Sequence, residues 1–271
     1  MSSLRALGPG FDPAVVAAID QRLGWVAERE HAVVLLAIES GSRAWGFPSP
    51  DSDYDCRFIY ARPRNEYLSL YAPRDVIEFP LDGMLDVNGW DLAKALRLLL
   101  KGNAVVIEWL TSPFVYAGDA AFRAQGLALA RQAARPAAIA RHYLHLGERQ
   151  RRTYFADTRA VETKKLFYAL RPALALRWLR LHPGEAVAPM HFPTLVGESE
   201  LPAEVVGVVD QLLTRKAATR ELGTSALPKP IGTLIDQEFS KARDLWPSEP
   251  WRPEASVVAE ANSFFQNWVG P

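Results

Sequence analysis

The sequence predicts an α+β fold in which a mixed helix-and-strand N-terminal part is followed by a mainly α-helical part. Three observations carry this reading. Residues 32–38 form an apolar, β-branched run of strand length that ends at a Gly-Ser turn, and residues 53–60 alternate polar and apolar side chains. Past about residue 120 the chain becomes rich in alanine and leucine, and its apolar residues recur at helical rather than strand spacing.

The elements follow in order. Asp12 is a good N-cap and Pro13 suits the first helical position, so a helix runs from there to about Glu28 with Val15, Val16, Ile19, Leu23 and Val26 as its apolar stripe. That helix feeds the strand 32–38. In the strand 53–60, Tyr54, Cys56 and Phe58 share one face and Asp53 and Asp55 the other, because side chains alternate with a period of two. Ile77, Phe79 and Leu81 alternate with Glu78, Pro80 and Asp82, while Leu85 and Val87 flank Asp86; this predicts two short strands around a Gly83 turn. Leu92, Leu96, Leu99 and Leu100 place a helix over 90–101, stopped at Gly102 and Asn103, and a shorter one through Ile107, Trp109 and Leu110 ends at Ser112 and Pro113.

Turn residues between 111 and 120 mark the expected domain boundary, dividing the chain into a first domain, 1–115, and a second, helical domain, 116–271. No convincing strand is expected in the second half, where Pro172, Pro183, Pro189, Pro193, Pro202, Pro228 and Pro230 should cut the helices into pieces. Trp251, Phe264, Phe265 and Trp268 suggest that the last twenty residues are packed.

Composition bounds the function classes. With 271 residues and 49% hydrophobic content the chain has material for one large or two ordinary cores. Its formal charge of zero gives no global basic field for nucleic acid, although local patches are still compatible with one. There is no run of about eighteen apolar residues, and the N-terminal stretch lacks the apolar core of a signal peptide, so a cytoplasmic protein without a membrane partner is expected. The single cysteine, Cys56, should be a buried structural thiol, and His142 and His145 lack a metal-ligand set.

The chemistry concentrates at the end of the first strand. Gly41, lacking a Cβ, lets the backbone approach a ligand, so the N–H groups of Gly41 and Ser42 can face phosphate oxygens, with Arg43 adding positive charge. Asp53 and Asp55, one residue apart, would repel each other unless a cation lay between them, and Mg²⁺ is typically held by one or two carboxylates plus substrate phosphates.

A Gly-Ser turn, a short spacer and Asp-x-Asp on the following strand resemble the signature of the DNA polymerase β-like nucleotidyltransferase superfamily, matched here at Gly41, Ser42, Asp53 and Asp55. The fuller string over residues 41–47, with 52–55, resembles the branch of predicted nucleotidyltransferases associated with RNA repair. This resemblance implies an N-terminal nucleotidyltransferase core, Mg²⁺ or Mn²⁺ held by Asp53 and Asp55, and transfer of a nucleotidyl group from an NTP to a hydroxyl, with release of pyrophosphate. It further implies an RNA or tRNA end as acceptor, RNA-repair partner proteins, and a third carboxylate on a neighbouring strand. Among Glu78, Asp82, Asp86 and Asp91, Asp86 is the expected one, an isolated acid between two apolar residues, and Glu78 is the alternative.

Two helical faces of the second half supply candidate contacts. Arg141, His145, Arg149 and Arg152 fall on one side of a helix over 137–155 and form a basic ridge suited to RNA. In a helix over 161–181, Lys164, Tyr168 and Arg171 share a face, with Lys165 beside them, an arrangement suited to a triphosphate or a stacked base. Arg215, Lys216 and Glu221 are a third charged group whose ion pairs could be purely local. Other readings of the same motif are nucleotidylation of a small molecule or a protein hydroxyl, and a non-catalytic RNA-binding regulator.

Overall fold

The computed structural model describes residues 3–155, 157–218, 223–248 and 252–269. Its elements in chain order are α1 (Pro13–Arg29), β1 (Val33–Glu39), α2 (Gly41–Ala44), β2 (Tyr54–Ala61), α3 (Arg64–Tyr67), β3 (Val76–Glu78), β4 (Leu85–Asp91), α4 (Leu92–Leu100), α5 (Ala104–Thr111), β5 (Val115–Gly118) and α6 (Ala120–Ala133). They continue with α7 (Pro136–Tyr154), β6 (Val161–Glu162), α8 (Thr163–Leu181), α9 (Phe192–Gly197), α10 (Ala203–Ala218), β7 (Thr224–Ser225), α11 (Lys229–Leu245) and α12 (Ala255–Trp268). The fold is α+β.

The chain forms two compact units, and neither is one continuous segment. The first comprises Met1–Ala44, Asp53–Ala133 and Arg252–Pro271, and the second Trp45–Ser52 and Ala134–Trp251. A cut between 115 and 116 would therefore fall within β5, which pairs with β1 in the first unit. The C-terminal helix returns to the same unit because Phe264 and Trp268 of α12 pack on Phe122 of α6, with ring centroids 5.4 and 5.1 Å apart. Glu221 and Trp251 lie outside the described residues.

The first unit is built on a five-stranded sheet in the order β3-β4-β2-β1-β5. β2 and β4 are parallel and the other neighbours antiparallel. The stretch carrying α3 and β3 makes the crossover that a parallel pair needs. On one face α1 buries Val16, Ile19, Leu23 and Val26 against Tyr54, Cys56, Phe58, Tyr60 and Val87 of β2 and β4. Asp12 caps α1 by accepting from the Ala14 amide at 2.8 Å. Each fully buried aliphatic side chain of this kind contributes about 1.5–3 kcal/mol.

On the other face α4 packs against β2 and β4 and covers the end of the sheet near Ile59, which is buried. Farther along, Asp55, Arg57, Asp86 and Asn88 are only partly buried. β4 continues to Asp91, so Trp90 is a strand residue rather than the first of the helix; its ring lies 4.1 Å from that of Trp109, and the Asp91 side chain caps α4 from the Ala93 amide. β2 starts at Tyr54, leaving Asp53 just outside the strand.

In the second unit α7, α8 and α11 pack on one another. Pro172 does not cut α8. The helix runs through it with Leu170, Ala173, Leu174 and Leu176 buried around it, so packing offsets the roughly 3 kcal/mol that an interior proline costs. A two-residue ladder, Val161 with Ser225 and Glu162 with Thr224, forms where no strand was expected; it is too short to leave a periodic signal. Among the described residues no helix is long and apolar enough to cross a membrane.

Candidate active site

The register of β2 with β4 sets Asp55 opposite Asp86. Opposed residues on paired strands send their side chains to the same face, so these two carboxylates share the open face of the sheet. Asp53 stands one residue ahead of β2 and is exposed. Glu78 lies on the edge strand β3, opposite Asn88, where its half-exposed carboxylate pairs with Arg74. Asp86, not Glu78, is thus the acid brought beside Asp55, and Asn88 Nδ2 donates to its Oδ1 at 3.3 Å.

The electrostatics of Asp55 show how tightly charge is gathered here. Burial raises its carboxyl above the ordinary range; Asp86 and Asp53 push the same way, while Arg57 and Arg43 oppose them. Such a donor set, hard carboxylate oxygens under mutual repulsion, fits a divalent cation. No group of three or more His, Cys, Asp or Glu side chains with metal-holding geometry occurs among the described residues. An ion at this face would accordingly rest on one or two carboxylates and take its remaining oxygens from a ligand, as Mg²⁺ commonly does.

The turn after β1 closes on this carboxylate. Ser40 N donates to the Asp55 carbonyl at 2.8 Å. Gly41 follows with φ +61°, and a Cβ built on it would lie 2.0 Å from Asp55 Oδ2, so only glycine permits both the backbone conformation and the contact. Ser42 and Arg43 continue in the single turn α2, and the Arg43 guanidinium carbon sits 3.8 Å from the centre of the Tyr54 ring.

Beneath the turn lies a buried acid. Glu39 is 0% exposed; its Oε1 accepts from the Asp55 amide at 3.1 Å and its Oε2 from the Tyr116 hydroxyl at 2.5 Å. Burial drives the Glu39 carboxyl up to about 8 despite these two donors, and burial together with Glu39 raises the Tyr116 hydroxyl. Cys56 is fully buried and its thiol is raised by burial, consistent with a structural role.

The second unit holds the other predicted contacts. Lys164 Nζ donates to Asp51 Oδ2 at 2.8 Å, and that bond holds the Asp51 carboxyl below its usual range. Lys165 Nζ lies 5.0 and 5.2 Å from the ring centres of Tyr154 and Tyr168. Arg171 is buried, 4% exposed, with its guanidinium carbon 4.7 Å from the Trp45 ring centre, and Trp45 in turn lies 6.4 Å from Tyr168. On α7, His145, Arg149 and Arg152 are exposed, whereas Arg141 is half-buried and donates to the Pro247 carbonyl at 3.1 Å.

Four residues of these two clusters carried no sequence expectation: Glu39, Arg57, Tyr116 and Trp45. Arg57 is two residues beyond Asp55, so strand alternation alone places it on the carboxylate face. Glu39 ends an apolar run, a position that an acid occupies only with buried partners. Tyr116 and Trp45 reach their partners through tertiary contacts that leave no local pattern.

Comparison with protein families matches residues 15–267 to the RNA repair pathway DNA polymerase beta family, RlaP. The chain is also similar to the protein YcgL of Bacillus subtilis (strain 168), described as uncharacterized, with 40% identity over 236 residues that cover 87% of this chain and 89% of that protein. The family match spans residues of both units. The chain therefore belongs to the RNA repair pathway DNA polymerase beta family, a group of polymerase β-like nucleotidyltransferases.

Proposed function

We propose that this protein transfers a nucleotidyl group from an NTP to the hydroxyl of an RNA or tRNA end, with Mg²⁺ or Mn²⁺ resting on one or two of the carboxylates Asp53, Asp55 and Asp86 and on oxygens of the triphosphate. The observation that carries the reading is the opposition of Asp55 and Asp86 on parallel strands, with Gly41 in contact with Asp55. Bound metal would supply charge neutralisation for the triphosphate and a lower pKa for the attacking hydroxyl. The protein's own residues provide position. The turn at Gly41, Ser42 and Arg43 offers donors and a cation for phosphate oxygens, fixed in place by the Ser40–Asp55 main-chain bond. Glu39 holds the Asp55 amide and so sets the position of its carboxylate from below.

In the reaction the acceptor oxygen bonds to the α-phosphorus as the bond to the bridging oxygen breaks. Pyrophosphate leaves, and the acceptor proton passes to a carboxylate of the cluster or to water. Lys164, Lys165 and Tyr168 are the nucleotide contacts of the second unit; Arg171, expected among them, is instead buried against Trp45 and supports that ring. His145, Arg149 and Arg152, with Arg141 at one end, are its RNA contacts.

The test is incubation with each α-labelled NTP, Mg²⁺ or Mn²⁺, and a pool of tRNA and RNA ends, beside the Asp53→Ala/Asp55→Ala variant. Label in RNA that disappears in the variant is expected. Label in a protein or small-molecule fraction would replace the acceptor. No label in any fraction from folded protein would overturn the reading.

A further inference from the structure

The carboxylate face holds one charged group that the proposed chemistry leaves unused. Arg57 Nη2 donates to Asp55 Oδ1 at 3.0 Å and to Asp86 Oδ2 at 2.6 Å. Its Nη1 donates to the main-chain carbonyls of Asp86, at 2.8 Å, and Cys56, at 3.2 Å. The carbonyl bonds are the telling ones. Both carbonyls belong to paired strands and do not move when a carboxylate changes rotamer, so they keep the guanidinium beside the acids whatever else the acids bind. The Arg57 side chain is only 16% exposed, and a guanidinium is a cation that presents its donors in a fixed fork.

A divalent ion approaching Asp55 and Asp86 therefore meets a fixed positive charge already bonded to one oxygen of each. Asp53, Asp55 and Asp86 against Arg57 and Arg43 carry a net charge of about −1, and a free divalent ion would turn that positive. The complex of the ion with a triphosphate carries a charge of about −2, so the guanidinium that opposes the free ion attracts the complex. We propose that Arg57 keeps the affinity of these carboxylates for a free divalent ion low, so that the ion is taken up chiefly as its complex with a nucleoside triphosphate. This rests on the nucleotidyl-transfer reading and adds to it the form in which the substrate enters. A unit charge about 6 Å from a divalent ion in water-like surroundings changes its affinity by about tenfold.

The experiment is a Mn²⁺ titration of the full chain by electron paramagnetic resonance, with and without a non-hydrolysable NTP analogue, on wild type, Arg57→Met, Arg57→Gln and Arg57→Lys. Circular dichroism checks the fold of each. Expected is free Mn²⁺ bound about tenfold tighter by the two neutral variants, Arg57→Lys close to wild type, and an enhancement by the analogue that shrinks by the same factor. Equal affinity in wild type and folded neutral variants, with enhancement by the analogue intact, would overturn the role of Arg57 and leave the nucleotidyl-transfer reading standing. The wild type tests the proposal even if the neutral variants do not fold, because Mn²⁺ bound as tightly without the analogue as with it contradicts it. No Mn²⁺ bound by any protein under either condition would remove both readings.

Discussion

Replacing Gly41 by alanine tests the contact between the turn and the carboxylate. The new methyl would lie 2.0 Å from Asp55 Oδ2 and 2.8 Å from its Cγ, at a backbone φ of +61°. The left-handed conformation costs a non-glycine residue roughly 1–2 kcal/mol. The overlap adds to it, because Asp55 must retreat by about 1 Å or more before the contact becomes an ordinary one. A displacement of that size at a reacting centre costs about 100-fold in rate. Gly41→Ala should thus lose about 1–3 kcal/mol in urea denaturation and about 100-fold in label transfer at saturating NTP. Two other glycines separate the causes. Gly83 has φ +57° with open space around its Cβ position, so Gly83→Ala should cost stability alone. Gly24, on the exposed side of α1 and also in open space, should give a gain of about 0.5–1 kcal/mol as alanine. Transfer by folded Gly41→Ala within about threefold of wild type would refute the reasoning.

Three further outcomes are expected. Glu39 has its folded carboxyl raised to about 8 from an ordinary 4.5, so it binds a proton more tightly folded than unfolded. Its contribution to stability is complete below the unfolded value and is lost as pH rises toward 8, at a slope of up to about 1.4 kcal/mol per pH unit; Glu39→Gln should flatten that slope in melts between pH 5 and 8. Glu238, 1% exposed, has the opposite sign: burial pushes it up, but the donors Arg180, Arg177 and Lys241 more than offset this and hold it below 4.5. Its contribution is present above 4.5 and lost as pH falls through the folded value, and Glu238→Gln should cost about 3 kcal/mol at pH 7 in thermal melts by removing the buried carboxylate that the partly buried Arg177 and Arg180 share. Finally, the exposed pair Arg149→Glu/Arg152→Glu should weaken binding to an RNA end and lower the salt slope of that binding by about 0.7–0.9 per lost phosphate contact, measured by fluorescence anisotropy at several ionic strengths.

Much of the first unit is legible because its signals are local. The apolar run before Glu39, the N-cap at Asp12 and the alternation through Asp55 and Cys56 each follow from a period or a cap within a few residues. What could not be read is non-local. The parallel register that opposes Asp55 and Asp86 spans a crossover, and an acid between two apolar residues only hints at it. The pairing of β5 with β1 and the return of α12 to α6 were equally invisible, so the chain looks like two consecutive halves when its units are interleaved. At the site itself, Gly41, Ser42, Asp53 and Asp55 stand out from spacing, whereas Glu39, Tyr116 and the Arg57 bridge depend on which strands become neighbours. Pro172 shows the same limit from the other side, since a helix breaker read from sequence lies inside a helix sustained by burial.

Asp86, the carboxylate opposite Asp55, is proposed to complete the nucleotidyl-transfer site. The most direct test compares Asp86→Asn with Glu78→Gln for transfer of label from an α-labelled NTP to RNA, both proteins having been shown to keep the wild-type melting profile. The account predicts that Asp86→Asn loses about 1,000-fold or more in rate and that Glu78→Gln, which breaks only the exposed pair with Arg74, stays close to wild type. Normal transfer by Asp86→Asn, or a collapse confined to Glu78→Gln, would contradict it.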